Sequence, residues 1–323
     1  MSIKLQNPNQ TLPSFKPLHN QFGKELSFGA EVVGIDLSKS LSSQQWETLM
    51  TGFEKHSLLL FKNQQLTPEM QLNFLTSFPH DIQAVKEGRN IAPFYKKLPG
   101  YPPLLSLHGY GSFTHYGHEF TLPAGEVFKY SHVWHTDFNS ISDTPPVVSA
   151  MYAVVVPKKG GETLFCSSIK AYELLIPELQ KQALEMKVCY CPTMNFKVEP
   201  QGRRRIDDVE ASMKNFNPPE VGRIQPVVIQ TKKGKNALFL SVHSAGKIEG
   251  MEAKPSQELI EKFLTPGTQP EHIFSLKWEV GDFAIWNNRE ILHTGTPWHV
   301  YENEQRLMHI FFLDSTEKVT PAS

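Results

Sequence analysis

The sequence predicts a mainly β protein, many short strands arranged as a closed or sandwiched antiparallel architecture with few helices. Three observations carry this. Strand-like apolar runs recur at 147–156, 187–191, 237–242, 273–279, 283–286 and 307–313, with turn residues between them. Only two helical patterns interrupt those runs, one over about 168–186 broken near Pro177 and one over about 256–264 started by Ser256. The 323 residues are 40% hydrophobic and 20% charged, which suffices for a sizeable core. No repeat or linker divides them, so residues 1–25 read as an N-terminal arm and 26–323 as a single domain.

The first 25 residues are polar and contain Pro, Asn and Gln, as suits an arm laid over a domain or a partly ordered tail. From Gly29 to Leu37 the chain alternates like a strand, and Ser42 followed by Gln45 is a capping box opening an amphipathic helix to about Glu54. Residues 57–61 read as a buried strand. Thr67-Pro68 then supplies an N-cap with proline at the first helical position, ahead of apolar Leu72, Phe74, Leu75 and Phe78. Residues 96–125 are rich in Gly, Pro, His and Tyr with little periodicity, which predicts a long functional loop instead of a core element.

Lys and Arg (32) nearly cancel Asp and Glu (33), so there is no global basic field to gather nucleic acid or an anionic membrane, and neither is an expected partner. Cys166, Cys189 and Cys191 are too few for a disulfide framework and lack a C-x-x-C zinc pattern. The N-terminus has no apolar run of signal-peptide length, and no stretch approaches the ~18 apolar residues of a membrane span. The expected location is cytoplasmic.

The most informative segment is Trp134-His135-Thr136-Asp137. Residues two apart on an extended strand share a face, so His135 and Asp137 can offer an imidazole and a carboxylate to one metal ion. His293, closing the strand-and-turn pattern of 281–293, is the candidate third ligand. Two His and one carboxylate leave metal positions open, as a non-haem Fe(II) oxygenase requires. A bare H-x-D carries little weight by itself in a chain with 13 histidines; its surroundings matter more.

Those surroundings resemble the taurine dioxygenase and 2,4-dichlorophenoxyacetate dioxygenase family of Fe(II)/2-oxoglutarate-dependent enzymes, from about residue 28 to 314. The carrying segments are GAEVVGIDL, SLLLFKNQQLTPEMQLNFLTSFP, WHTDFNSISDTPPVVSAMYAVVVPKKGGETLFCSS, GDFAIWNNREILHTG and EQRLMH, in that order. The resemblance implies a double-stranded β-helix, a cupin-like jelly roll with flanking helices, and iron held by His135, Asp137 and His293. It also implies 2-oxoglutarate as cosubstrate and O₂ as oxidant. Arg306 matches the family's cosubstrate arginine, whose planar fork suits a carboxylate. Thr163, in Gly160-Gly161-Glu162-Thr163, matches the threonine that donates to the same carboxylate. Arg306 stands thirteen residues after His293, about two farther than in the family, and an insertion within 298–303 absorbs the difference.

The expected activity is hydroxylation of a small organic molecule, with bond cleavage to follow where the attacked carbon bears a heteroatom. In the taurine enzyme of this family a second arginine, four residues past the first, holds the sulfonate; here that position is Ile310, so taurine is not the expected substrate. Candidate substrate contacts are Ser131, four residues before His135, and His115 and Tyr116 in the 107–120 loop, whose rings either grip a planar ligand or pack the loop down. Asn195 and Phe196 are further candidate substrate contacts, preceding the Arg203-Arg204-Arg205 run where family members carry a mobile segment. The resemblance also allows a homo-oligomer. Two other readings stay open on the residues alone: a hydrolase or isomerase using the same three ligands around zinc, and a barrel that binds a small ligand without catalysis.

Overall fold

The computed structural model describes residues 11–78, 82–84, 96–102, 104–122, 134–140, 142–190, 223–242, 244–296, 304–315 and 317–322. The N-terminal part contains β1 (Ser14–His19), β2 (Glu25–Val33), α1 (Ser43–His56), β3 (Leu58–Phe61), α2 (Pro68–Thr76), β4 (Ile82–Ala84), β5 (Lys96–Lys97), β6 (Leu105–His115) and β7 (His118–Leu122). The middle contains β8 (Val148–Val155), β9 (Thr163–Ser167), α3 (Ser168–Glu173), α4 (Pro177–Glu185), β10 (Lys187–Tyr190), β11 (Ile224–Pro226), β12 (Val228–Gln230) and β13 (Asn236–Leu238). The rest comprises β14 (Ala245–Ile248), α5 (Ala253–Leu264), β15 (Ile273–Leu276), β16 (Phe283–Asn287), β17 (Ile291–Gly295) and β18 (Arg306–Ser315).

A large sheet runs in the order β1-β2-β3-β16-β8-β18-β6-β5, and a small sheet runs β15-β9-β17. Alternation along the central strands of the large sheet divides its two faces. Met308, Ile310 and Phe312 of β18, Met151 and Ala153 of β8 and Ala284 and Trp286 of β16 join Phe165 of β9 and Ile291 of β17 in one buried cluster. That layer lies between the two sheets. The intervening residues Leu307, Phe311 and Leu313, with Val148, Ala150 and Tyr152, face outward and pack with Leu49 and Phe53 of α1 and Phe74 and Leu75 of α2. A third cluster joins Leu292 and Cys166, on the outer face of the small sheet, to Ala171, Ala183, Ile260 and Phe263 of α3, α4 and α5. The result is a jelly-roll sandwich with helices against both outer faces.

Local signals set the helices. Ser42 caps α1 and the Gln45 side chain returns to the Ser42 backbone, completing the capping box. Thr67 caps α2 with Pro68 at its first position, where a missing N–H costs nothing. The 168–186 pattern is two helices, α3 and α4, separated before Pro177. In α5 the helix begins three residues before the expected start, with Glu252 as its N-cap. Ser256 lies inside, where its hydroxyl accepts from Ile248 N–H and donates to the Glu252 carbonyl. Pro255 is tolerated in that first turn because helix N–H groups there have no internal acceptor.

Four expectations change. Residues 14–19 of the expected arm are the edge strand β1, paired antiparallel with β2. The strand expected over 29–37 is β2, which starts earlier and ends where Gly34 takes φ +85°. The run expected over 237–242 is a strand only at β13, and its continuation pairs elsewhere, as described below. Most important, the stretch read as a loop contains β6, a strand of the large sheet paired with β18 along Arg306–Phe311 and folded into a hairpin with β7. Residues 105–109 are buried on both faces, and the short alternation Leu105-Ser106-Leu107-His108 is cut off by Gly109 and Gly111. Gly109 resembles a turn signal but is required by close approach: a Cβ there would meet the Arg306 carbonyl oxygen at 1.8 Å.

Candidate metal centre

The site begins with backbone pairing. His135 and His293 form a one-residue antiparallel bridge, each N–H donating to the other's carbonyl at 3.0 Å. Directly opposed residues of such a pair project to the same face. The two imidazoles accordingly sit side by side, ring centroids 4.2 Å apart. On its other side the 134–136 segment is held by Thr136 N–H to the Leu240 carbonyl and Val242 N–H to the Trp134 carbonyl. The small sheet is thereby extended past β17 to 134–136 and 240–242. Trp134, one residue out of phase, packs into the outer cluster with Leu240 and Leu292.

Asp137, two residues after His135, returns to the inner face. Its Oδ1 lies 3.8 Å from His135 Nε2 and 3.6 Å from His293 Nε2. One donor atom from each of the three residues lies within 4.8 Å of the others. Two imidazole nitrogens and one carboxylate oxygen, largely withdrawn from water, form a donor set that suits a divalent transition metal such as Fe(II). Asn288, in the β16–β17 turn, clamps Asp137 from behind: its Oδ1 accepts Asp137 N–H at 2.7 Å, and its Nδ2 donates to the Asp137 and Pro146 carbonyls at 3.0 Å each. Phe138 then reverses the chain in the left-handed region (φ 61°), unusual for a bulky residue, with its ring edge-on to Phe312 at 4.6 Å. Burial raises the Asp137 carboxyl above the usual range, against the opposing pull of His135 and the Ser149 hydroxyl.

Arg306 opens β18 in phase with Met308, Ile310 and Phe312, so it belongs to the inner face, and it is 4% exposed. Burial lowers its guanidinium to about 10, still charged at neutral pH. Thr163 opens β9 in phase with Phe165 on the facing wall. Its hydroxyl accepts the Trp278 indole N–H at 2.9 Å, which leaves its own hydrogen to donate. His108, on the inner face of β6, was not singled out from sequence. Burial first, then the charges of Arg306 and His135, lower its imidazole to about 3. Continuing the alternation of Leu105 and Leu107 along β6 was the signal that could have separated it from its neighbours.

His115 and Tyr116 lie elsewhere. Odd-numbered residues of β6 face outward, and His115 Nε2 meets His309 Nε2 at 2.8 Å while the Tyr116 ring packs against His115 and Tyr101. The structure therefore does not bring them together with the triad. His309 Nδ1 sits 2.8 Å from Gln71 Oε1, and Gln71 Nε2 donates to the Leu66 carbonyl. This amide orientation makes His309 Nδ1 the donor and leaves Nε2 to accept from His115. Burial, and secondarily His115, lowers His309 to about 3. An unfolded histidine takes a proton near 6.5, so stability contributed by neutral His309 is complete above that pH and is lost as pH falls toward 3. Urea unfolding at pH 5 should show about 2 kcal/mol less stability than at pH 7.5 from this group. His309→Gln should flatten the slope by about one proton; an unchanged slope would remove the assignment. Ser131, Asn195, Phe196 and Arg203-Arg204-Arg205 fall outside the described residues.

Comparison with known proteins adds three kinds of likeness. The profile described as "Taurine catabolism dioxygenase TauD, TfdA family" matches residues 14–311. The alpha-ketoglutarate-dependent 2,4-dichlorophenoxyacetate dioxygenase of Cupriavidus pinatubonensis is 26% identical over 84% of this chain and 90% of its own. The alpha-ketoglutarate-dependent xanthine dioxygenase of Emericella nidulans is 25% identical over 95% and 98%. Among solved structures, a taurine dioxygenase from Burkholderia xenovorans superposes with a TM-score of 0.70 at 21% identity, covering 96% of this chain and 94% of that one. Among the described residues, no helix is long and apolar enough to cross a membrane.

Proposed function

Because the chain belongs to the TauD, TfdA family of dioxygenases, we propose that His135, Asp137 and His293 hold its Fe(II) and that Arg306 and Thr163 receive the far carboxylate of 2-oxoglutarate. The chain is an Fe(II)/2-oxoglutarate-dependent dioxygenase that acts on a small organic molecule. The observation that carries the residue assignment is the convergence of the three donor atoms, brought from segments more than 150 positions apart, onto one buried face. Coupled oxidation of 2-oxoglutarate and hydroxylation of a C–H bond is the chemistry supplied by Fe(II) and O₂ when bound.

The protein's own residues bind, orient and exclude water. The His135–His293 backbone bridge holds both imidazoles on one face, and Asn288 holds the Asp137 backbone beside them. Arg306 keeps a fixed positive charge within the sandwich, where a carboxylate gains more from it than it would in water. Trp278 orients the Thr163 hydroxyl so that its hydrogen is the free end. Phe165 and Trp286 wall His293 with apolar rings 6.2 and 5.0 Å from its centroid. Ile310, at the position expected for a sulfonate-binding arginine, belongs to the apolar layer, which supports a substrate other than taurine. The cytoplasm is the proposed location, supported by two buried free thiols, Cys166 and Cys189.

Anaerobic addition of Fe(II) and 2-oxoglutarate to the apoprotein tests the reading. The expected result is the weak visible charge-transfer absorption of the chelate. Admission of O₂ with candidate aryloxy acids or purines should then release succinate. A folded protein that gives no absorption, and that retains zinc on metal analysis, would overturn it in favour of a hydrolase or isomerase.

A further inference from the structure

Ser149 stands where the fold has no use for a hydroxyl. It is fully buried on β8, on the inner face shared with Met151 and Ala153, and its directly opposed neighbours on the two flanking strands are Trp286 and Phe312. An apolar residue of the same size would pack there without a polar group to satisfy. The hydroxyl instead donates to Asp137 Oδ2 at 2.5 Å, the short distance of a hydrogen bond to a carboxylate. The two oxygens of Asp137 are thereby given different tasks. Oδ1 is the one that approaches His135 Nε2 and His293 Nε2, and Oδ2 is tied back to the sheet.

We propose that Ser149 is a positioning residue that makes Asp137 a one-oxygen metal ligand, so that the second oxygen does not compete for positions the cosubstrate needs. This rests on the Fe(II)/2-oxoglutarate reading above. A 2-oxoglutarate chelate takes two positions and O₂ a third, so an octahedral ion with three protein ligands has none to spare. Asn288 complements the hydroxyl: it fixes the Asp137 backbone on both its N–H and its carbonyl, leaving rotation of the carboxylate as the motion that Ser149 stops. Outer partners of this kind orient metal ligands.

The test compares wild type with Ser149→Ala, Ser149→Cys and Ser149→Thr, each checked by circular dichroism and thermal melting as apoprotein. Ser149→Ala should weaken Fe(II) or 2-oxoglutarate binding by about 10- to 100-fold. It should also shift the charge-transfer maximum and alter the Co(II) d–d spectrum of the substituted protein, because the carboxylate is free to turn. Ser149→Thr, which keeps the hydroxyl, should restore the spectra. If the alanine variant does not fold, the cysteine variant, of similar volume with a weaker donor, should show the same spectral changes in smaller degree. Wild-type affinities and spectra in a folded alanine or cysteine variant would overturn the proposal. Absence of the chelate absorption in wild type would instead overturn the reading on which it rests.

Discussion

Asp137→Asn should lose Fe(II) binding and turnover while the apoprotein melts no lower than wild type. The physical reason is that the buried carboxylate is costly to the fold, and its proposed use is as a metal ligand. Asp137 is 7% exposed, and burial is the largest influence on its ionisation, raising it. Removing the charge removes that desolvation cost, and an amide oxygen can still accept from Ser149. A neutral amide is a poor substitute for an anionic ligand, so succinate production should fall by more than the roughly 10- to 100-fold typical of outer-partner changes. His135→Ala should behave the same way in turnover and still fold. Fe(II) titration, succinate release and thermal melting together check this; wild-type iron affinity in either variant would remove the triad assignment. The combination of lost function and kept stability marks a site group and not a core group.

Arg306→Leu should raise the KM for 2-oxoglutarate by a factor on the order of 10²–10³, corresponding to the loss of a buried charge pair worth about 2–5 kcal/mol. Leucine suits the position, because the side chain belongs to the face that carries Met308, Ile310 and Phe312. Iron affinity of the variant should stay within about twofold of wild type, since the arginine is not one of the three proposed metal donors. Thermal stabilisation by added 2-oxoglutarate should disappear with the affinity. A wild-type KM with a normal circular dichroism spectrum would show that the cosubstrate carboxylate is held elsewhere. A raised KM with unchanged iron binding separates this role from that of Asp137, whose loss removes both.

Local features of the fold were legible wherever the cause lies within a few residues. The Ser42–Gln45 box and the Thr67-Pro68 start are such cases, since a cap acts on N–H groups two or three positions away. The α5 start was misread for the same reason in reverse: Ser256 has the side chain of a cap, but its hydroxyl is engaged by Ile248 of β14, across a turn. From sequence β6 does not stand out, because its alternation lasts only from Leu105 to His108 before two glycines, and because Gly109 answers to the backbone of Arg306, nearly 200 residues away.

The sequence by itself determined the strand-rich class, the principal helices and the three candidate donor residues, because side-chain chemistry and short-range spacing are written in the chain. Which of those side chains meet was decided by tertiary structure. His108 and His115 stand on one strand, yet one faces inward near Arg306 and His135 and the other pairs outward with His309. Ser149 and Asn288 became partners of Asp137 only when β8 and the β16–β17 turn were brought beside it. The reason is register. A strand's side chains change face with every residue, and the face that turns inward is chosen by packing against strands distant in sequence.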